Sequence, residues 1–279
     1  MRRAGPLSRG VCTVGASMAK DTRNTRRLGP DVDSYGKLSS GPLHCLLFVL
    51  PLVLVYEIGL VLFLSSRDGT LRETILAHRT LSRLFEVFGS SSLYLPGVLL
   101  LVVLAVWHIF TRKPWKPKPA VLGGMACESL LWMIPLLVLG LITSMSIGGG
   151  AQPAMAVDGI PQGWQSKVVL SIGAGLYEEM LFRLLLITVL HLVFHDALRL
   201  PESAASTLAV IGSAVAFTVY HGVSYTGGSP FSHVFFYTAA GVYFGVVFLM
   251  RGLGIVVGTH AAYDIMVLVV LPMMRNPTQ

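Results

Sequence analysis

Apolar stretches long enough for a helix to cross a bilayer recur along the chain at 43–64, 93–110, 120–147, 165–194, 206–224, 230–250 and 252–273. A span takes roughly 20 helical residues, because the hydrocarbon core is about 30 Å thick and an α-helix rises about 1.5 Å per residue. Inside that core each backbone N–H and C=O has to be satisfied within its own segment. Repeated runs of this kind therefore dictate an all-α fold, a polytopic transmembrane bundle of about seven spans. The composition agrees: 53% of the 279 residues are hydrophobic and 13% charged, with a mean hydropathy of +0.69. A soluble domain carries about twice that charge.

The net charge of +7 follows the membrane layout and does not call for nucleic acid. With the N-terminus in the cytoplasm, the inside segments hold 14 basic residues and the outside segments 5. The loop GGGAQPAMAVDGIPQG holds none. This asymmetry predicts an N-in, C-out topology. Residues 1–42 are polar and basic and lack the apolar core of a signal peptide, so a disordered cytosolic tail is expected there, followed by a transmembrane domain over 43–273. TLRETILAHRTLSRLFEVFG, between the first two runs, spaces apolar residues helically among Arg and Glu, as an amphipathic helix in the interface would. Cys12, Cys45 and Cys127 show no metal-type spacing and read as packing residues. No internal repeat is evident.

Against this background GLYEEMLFRLLL, residues 175–186, is an anomaly. A charge at mid-membrane costs about 2.5–3.5 kcal/mol on insertion scales, and this run holds three ionisable groups. Glu179 and Arg183 are four residues apart and can pair on one helical face. Glu178 lies about 100° round the axis and needs a different partner. Two other apolar runs offer one: FTVYH puts Phe217 and His221 on one face, and HAAYD does the same for His260 and Asp264. A carboxylate and two imidazoles suffice for hydrolysis, with Glu as general base on water, one His sharing that water, and the other His with Asp264 on the developing oxyanion. The same Glu and His set can instead hold a zinc ion with an open position for water. Intramembrane groups of this kind also serve as proton relays in coupled transporters, which would leave the chain a transporter instead of an enzyme.

EEMLFR, FTVYH and HAAYD resemble the EExxxR, FxxxH and HxxxN/D motifs of the CPBP family of intramembrane proteases, in the same order. That group contains type II CAAX prenyl endopeptidases and bacterial bacteriocin-processing or immunity proteins. The resemblance covers 165–273 and implies a helical bundle with proteolytic chemistry in a membrane-embedded cavity, acting on a membrane-associated peptide or protein substrate. It implies Glu178 as the water-activating base, His221 as its partner, and His260 with Asp264 as the oxyanion-binding pair. Glu179 and Arg183 fall in supporting positions, and so does Phe217. If the chemistry is metal-dependent, Glu178, His221 and His260 are the ligands and a divalent metal such as zinc the cofactor. A catalytically silent scaffold or immunity protein of the same fold is the other outcome such a resemblance allows. The expected location is a bacterial plasma membrane, as an integral multi-pass protein.

The third motif ends in Asp264 where the family also uses Asn. An ionised Asp accepts hydrogen bonds but cannot donate one to an oxyanion. Asp264 is thus expected to orient His260 or to act protonated. Straight helices drawn on the apolar runs put Glu178 near mid-span, His221 near the outer end and His260 nearer the inner end. A common site requires the spans to tilt or slide. No HExxH, GxGD or GxSxG motif is present. Glu57 is expected to pair within the bundle, His191, His195 and Asp196 to face solvent, and the glycines of 252–258 to mark close helix packing.

Overall fold

The computed structural model describes residues 32–64, 95–146, 163–222 and 230–275. Residues 1–31 of the expected tail, the amphipathic stretch at 70–89 and most of the loop that lacks basic residues lie outside the described residues. All regular elements within them are helices: α1 (Val32–Ser39), α2 (Pro42–Leu64), α3 (Leu95–Phe110), α4 (Pro119–Ser146), α5 (Trp164–Ala197), α6 (Glu202–Gly222), α7 (Pro230–Arg251) and α8 (Leu253–Met274). Six of these are long and apolar enough to cross a membrane, and α3 is a shorter apolar helix of 16 residues. The chain is an integral, multi-pass membrane protein.

α8 lies at the centre. Its most apolar window is 72% buried, against 22–39% in the other five long helices. α5, α4 and α2 pack on it, while α6 pairs with α7. Outward faces carry Leu54, Ile58, Leu62, Leu131, Val219 and Met250, all exposed, as the lipid-facing side of a bundle requires.

Small residues set the closest crossings. A Cβ on Gly175 of α5 would stand 2.8 Å from the Val257 carbonyl oxygen and 2.9 Å from Ala261 on α8. One on Gly241 of α7 would stand 2.9 Å from the Ala214 backbone of α6. Gly254 lies against Cys45 and Met125, and Gly258 against Ser129, so the glycine-rich start of α8 is a packing surface. Gly252 joins α7 to α8 with φ +83°, a left-handed conformation that glycine adopts without the penalty of a Cβ. Cys45 is buried without a disulfide partner and Cys127 is exposed.

A polar clasp ties this junction to the start of the chain. The Arg251 guanidinium donates to both oxygens of Glu128, through Nε to Oε1 and through Nη2 to Oε2 at 2.8 Å. Nη2 also donates to Ser39 Oγ at 3.1 Å, and the Tyr35 hydroxyl donates to Glu128 Oε2 at 2.6 Å. Burial and the neighbouring Glu128 carboxylate hold the Tyr35 phenol well above its ordinary range. The last part of the expected tail is consequently helical: α1 is docked on α4 by these bonds.

Gly175→Ala should force α5 and α8 apart, because the obstructing atoms include main chain that no rotamer change can move. An overpacking loss of about 1–3 kcal/mol is expected. Thermal unfolding in detergent checks it; a wild-type melting temperature would show that this crossing has slack.

Candidate active site

The Glu178–Glu179 pair sits where α5 changes character. Its first 16 residues, Trp164–Glu179, are α-helical, and Met180–Ile187 are π-helical. Ser213 of α6 donates to the Phe182 carbonyl in this widened segment at 2.9 Å, so part of the altered backbone bonding is met from a neighbouring helix.

Arg183 lies one turn on and is fully buried, as is Glu179. Its Nε comes within 3.1 Å of Glu179 Oε2, an ion pair in distance though without hydrogen-bond alignment. The guanidinium lies 4.4 Å from the Phe217 ring centre and 5.1 Å from that of Phe244, and Nη2 donates to the Gly241 carbonyl at 3.4 Å. Two aromatic faces and one carboxylate thus take the place of water around the cation. The other oxygen of Glu179 accepts from His260 Nδ1 at 2.7 Å. The chain Arg183, Glu179, His260 thus links α5 to α8 without solvent.

Glu178 faces the other way, into a cavity of about 20 Å³, room for one water. Its Oε2 accepts no hydrogen bond and lies 3.6 Å from His221 Nε2 and 3.9 Å from His260 Nε2. Asp264 Oδ2 is 3.5 Å from the same His260 nitrogen. His221 Nδ1 donates to the Phe217 carbonyl at 2.9 Å, which leaves its Nε2 lone pair toward Glu178. His221 stacks on Tyr237 at 4.1 Å between ring centres, and His260 on Phe244 at 4.6 Å. Both imidazoles are therefore held in plane as well as in position.

The difference in depth expected from straight apolar runs has a specific origin. α6 begins at Glu202 and ends at Gly222, and its last turn comes level with Tyr237, the eighth residue of α7. The end of α6 is therefore within the bundle and not at its outer rim. His221 meets Glu178 there, and His260, eight residues into α8, meets both.

Tyr220, Tyr237, Phe244 and Gly241 also belong to this arrangement, and the sequence reading passed over them. Tyr237 and Phe244 are seven residues apart, so one face of α7 carries both. That spacing was visible, but α7 lends no ionisable group to a motif. Tyr263 of α8 also lines the cavity, whereas Glu57, His191, His195 and Asp196 stay outside it. The Tyr177 hydroxyl donates to Glu57 Oε1 at 2.8 Å. His191, His195 and Asp196 are in the last turns of α5, where His195 Nδ1 contacts the Leu200 carbonyl. Among the described residues no group of three or more His, Cys, Asp and Glu is disposed to hold a metal ion. Nδ1 of His260 is already committed to Glu179.

The bundle thus buries a Glu, Glu, Arg, His, His, Asp cluster contributed by three of its helices. Residues 161–266 match the family model described as type II CAAX prenyl endopeptidase Rce1-like. The match supports a CAAX-type intramembrane protease at family level. No curated protein and no solved structure matches the chain.

Arg183→Ala would leave Glu179 a buried charge without its cation, a loss of about 3–5 kcal/mol. Lower yield and a reduced melting temperature in detergent are expected. Arg183→Lys should recover only part of this, since an ammonium cannot present the same planar surface to Phe217 and Phe244. If Arg183→Ala accumulates and melts like wild type, the buried pair is not what stabilises this turn.

Proposed function

We propose that the chain hydrolyses a peptide bond of a membrane-associated substrate with water activated by Glu178. The convergence of Glu178 Oε2 with both imidazole Nε2 atoms on one water-sized cavity carries this reading. A water about 2.8 Å from Glu178 Oε2 and His221 Nε2 closes a triangle with their 3.6 Å separation. It donates one proton to Glu178 and directs the other at the His221 lone pair. Its oxygen then bonds to the scissile carbonyl carbon, and the carbonyl π pair moves onto oxygen. The oxyanion pair then re-forms the C=O as the C–N bond breaks, and Glu178, now a carboxylic acid, returns its proton to the departing amine nitrogen, so one group serves as base and then as acid.

His260 and Asp264 border the place where that oxyanion forms. With Nδ1 bound to Glu179, His260 donates to the oxyanion only as an imidazolium, through Nε2–H. Glu179 and Asp264 are then its two counter-charges, and Arg183 balances Glu179 from the other side. Phe217 supports both ends, with its ring beside Arg183 and its carbonyl on His221. The family description makes a peptide ending in a prenylated CAAX sequence the first substrate to try.

Glu178→Gln keeps the size of the side chain and removes the base. It should lower the cleavage rate by about 100-fold or more while leaving the protein folded and membrane-inserted. Prenylated and unmodified CAAX peptides assayed in detergent, with and without chelator, provide the test. Full activity in Glu178→Gln would end the assignment. Loss of wild-type activity on chelation, restored by zinc, would move the chemistry to a metal held by Glu178, His221 and His260.

A further inference from the structure

We infer that Tyr220 is a positioning residue that fixes which oxygen of Glu178 activates water, an inference that rests on the hydrolytic reading above. The Tyr220 hydroxyl donates to Glu178 Oε1 at 3.1 Å. The other oxygen, Oε2, is buried, accepts no hydrogen bond and faces the Nε2 atoms of His221 and His260. The two oxygens thus have separate surroundings: one is anchored, and the other opens on the cavity.

An anchor is needed because the last torsion of a glutamate is broad and roughly two-fold. The helix alone does not decide the plane of the carboxylate. Groups around Glu178 come from three other helices: Tyr220 and His221 on α6, Tyr237 on α7, and His260, Tyr263 and Asp264 on α8. The carboxylates of Glu179 and Asp264 cannot donate when ionised, and His221 presents a lone pair. Tyr220 supplies a neutral donor that settles the plane without adding charge to the cluster.

The Tyr220 ring is fixed in turn. It makes edge contacts with Phe182, 5.2 Å between centres at 69°, and with His221, 4.9 Å at 76°. Tyr220 and His221 are consecutive on α6, about 100° apart round its axis. A single helix end consequently reaches both oxygens of Glu178, with a hydroxyl on one and an imidazole beside the other. Tyr220 occupies an unspecified position of FxxxH, so the motif does not register it.

The test compares wild type, Tyr220→Phe, Glu178→Gln and the double variant on a quenched fluorescent peptide ending in a prenylated CAAX sequence. Phenylalanine keeps the ring and its edge contacts and removes only the donor. Tyr220→Phe should lower kcat by about tenfold or more, with KM within about twofold of wild type and an unchanged melting temperature. The double variant should fall no lower than Glu178→Gln alone, because the hydroxyl acts through that carboxylate. Wild-type kcat in Tyr220→Phe overturns the inference, as does a loss appearing mainly in KM or in thermal stability. An inactive Glu178→Gln beside a fully active Tyr220→Phe overturns Tyr220's role alone. A fully active Glu178→Gln, or a wild type that does not cut the peptide, overturns the hydrolytic reading and this inference with it.

Discussion

The rest of the cluster depends on the carboxylate of Glu179. One of its oxygens faces the Arg183 guanidinium and the other accepts from His260, so a single buried anion orients a cation on its own helix and an imidazole on the central one. Neither partner has water to fall back on, since Arg183 and Glu179 are fully buried and His260 nearly so. In such surroundings an unpaired charge is far more costly than at a surface, and the geometry of the pair is correspondingly rigid. Phe217 joins the same network through its ring beside Arg183 and its carbonyl on His221. The three motifs are therefore one hydrogen-bonded and aromatic unit.

That unit is held by crossings that owe little to hydrophobic burial, because lipid tails are as apolar as the side chains they would displace. Close contact has to come from small residues, and Gly175, Gly241 and Gly258 provide it. Gly175 lies three residues before Glu178 and touches Ala261, the residue after His260. The closest α5–α8 crossing thus adjoins the Glu179–His260 bond. At the other end of α7, the Arg251–Glu128 clasp with Tyr35 and Ser39 fixes the turn from which α8 departs. The candidate site hangs between these two fixed points.

Much of this was legible in the sequence, and for physical reasons. Apolar runs reveal spans because the bilayer imposes both length and composition, and the helical bundle followed from them. α3 is described from Leu95 to Phe110, inside the apolar run that marks it. Ionisable residues stood out because they are costly in lipid, which exposed Glu178, Glu179, Arg183, His221, His260 and Asp264. The same signal is silent on Tyr220, Tyr237 and Phe244, since aromatic residues are ordinary in a membrane helix. Relative depth was not legible, because an apolar run says where a helix can be buried, and not where it stops relative to its neighbours. Glu128 and Arg251, 123 residues apart, could be joined only by the fold.

Asp264 bears on how charge moves in the proposed mechanism. With His260 as imidazolium, the carboxylates of Glu178, Glu179 and Asp264 outnumber the cations Arg183 and His260 by one. When Glu178 takes the proton from water, its charge disappears as the oxyanion's charge appears. The net charge of the buried cluster is the same before and after. Only its position changes, from a carboxylate anchored by Tyr220 to an oxygen beside His260. Moving a charge between two fixed sets of dipoles needs less reorganisation than creating one where water is excluded. An asparagine at 264 would offer the oxyanion a direct donor; an aspartate offers the imidazolium a second counter-charge, 3.5 Å from the nitrogen that would make the donation. In this chain His260 would then act as the donor, with Asp264 steadying its charge.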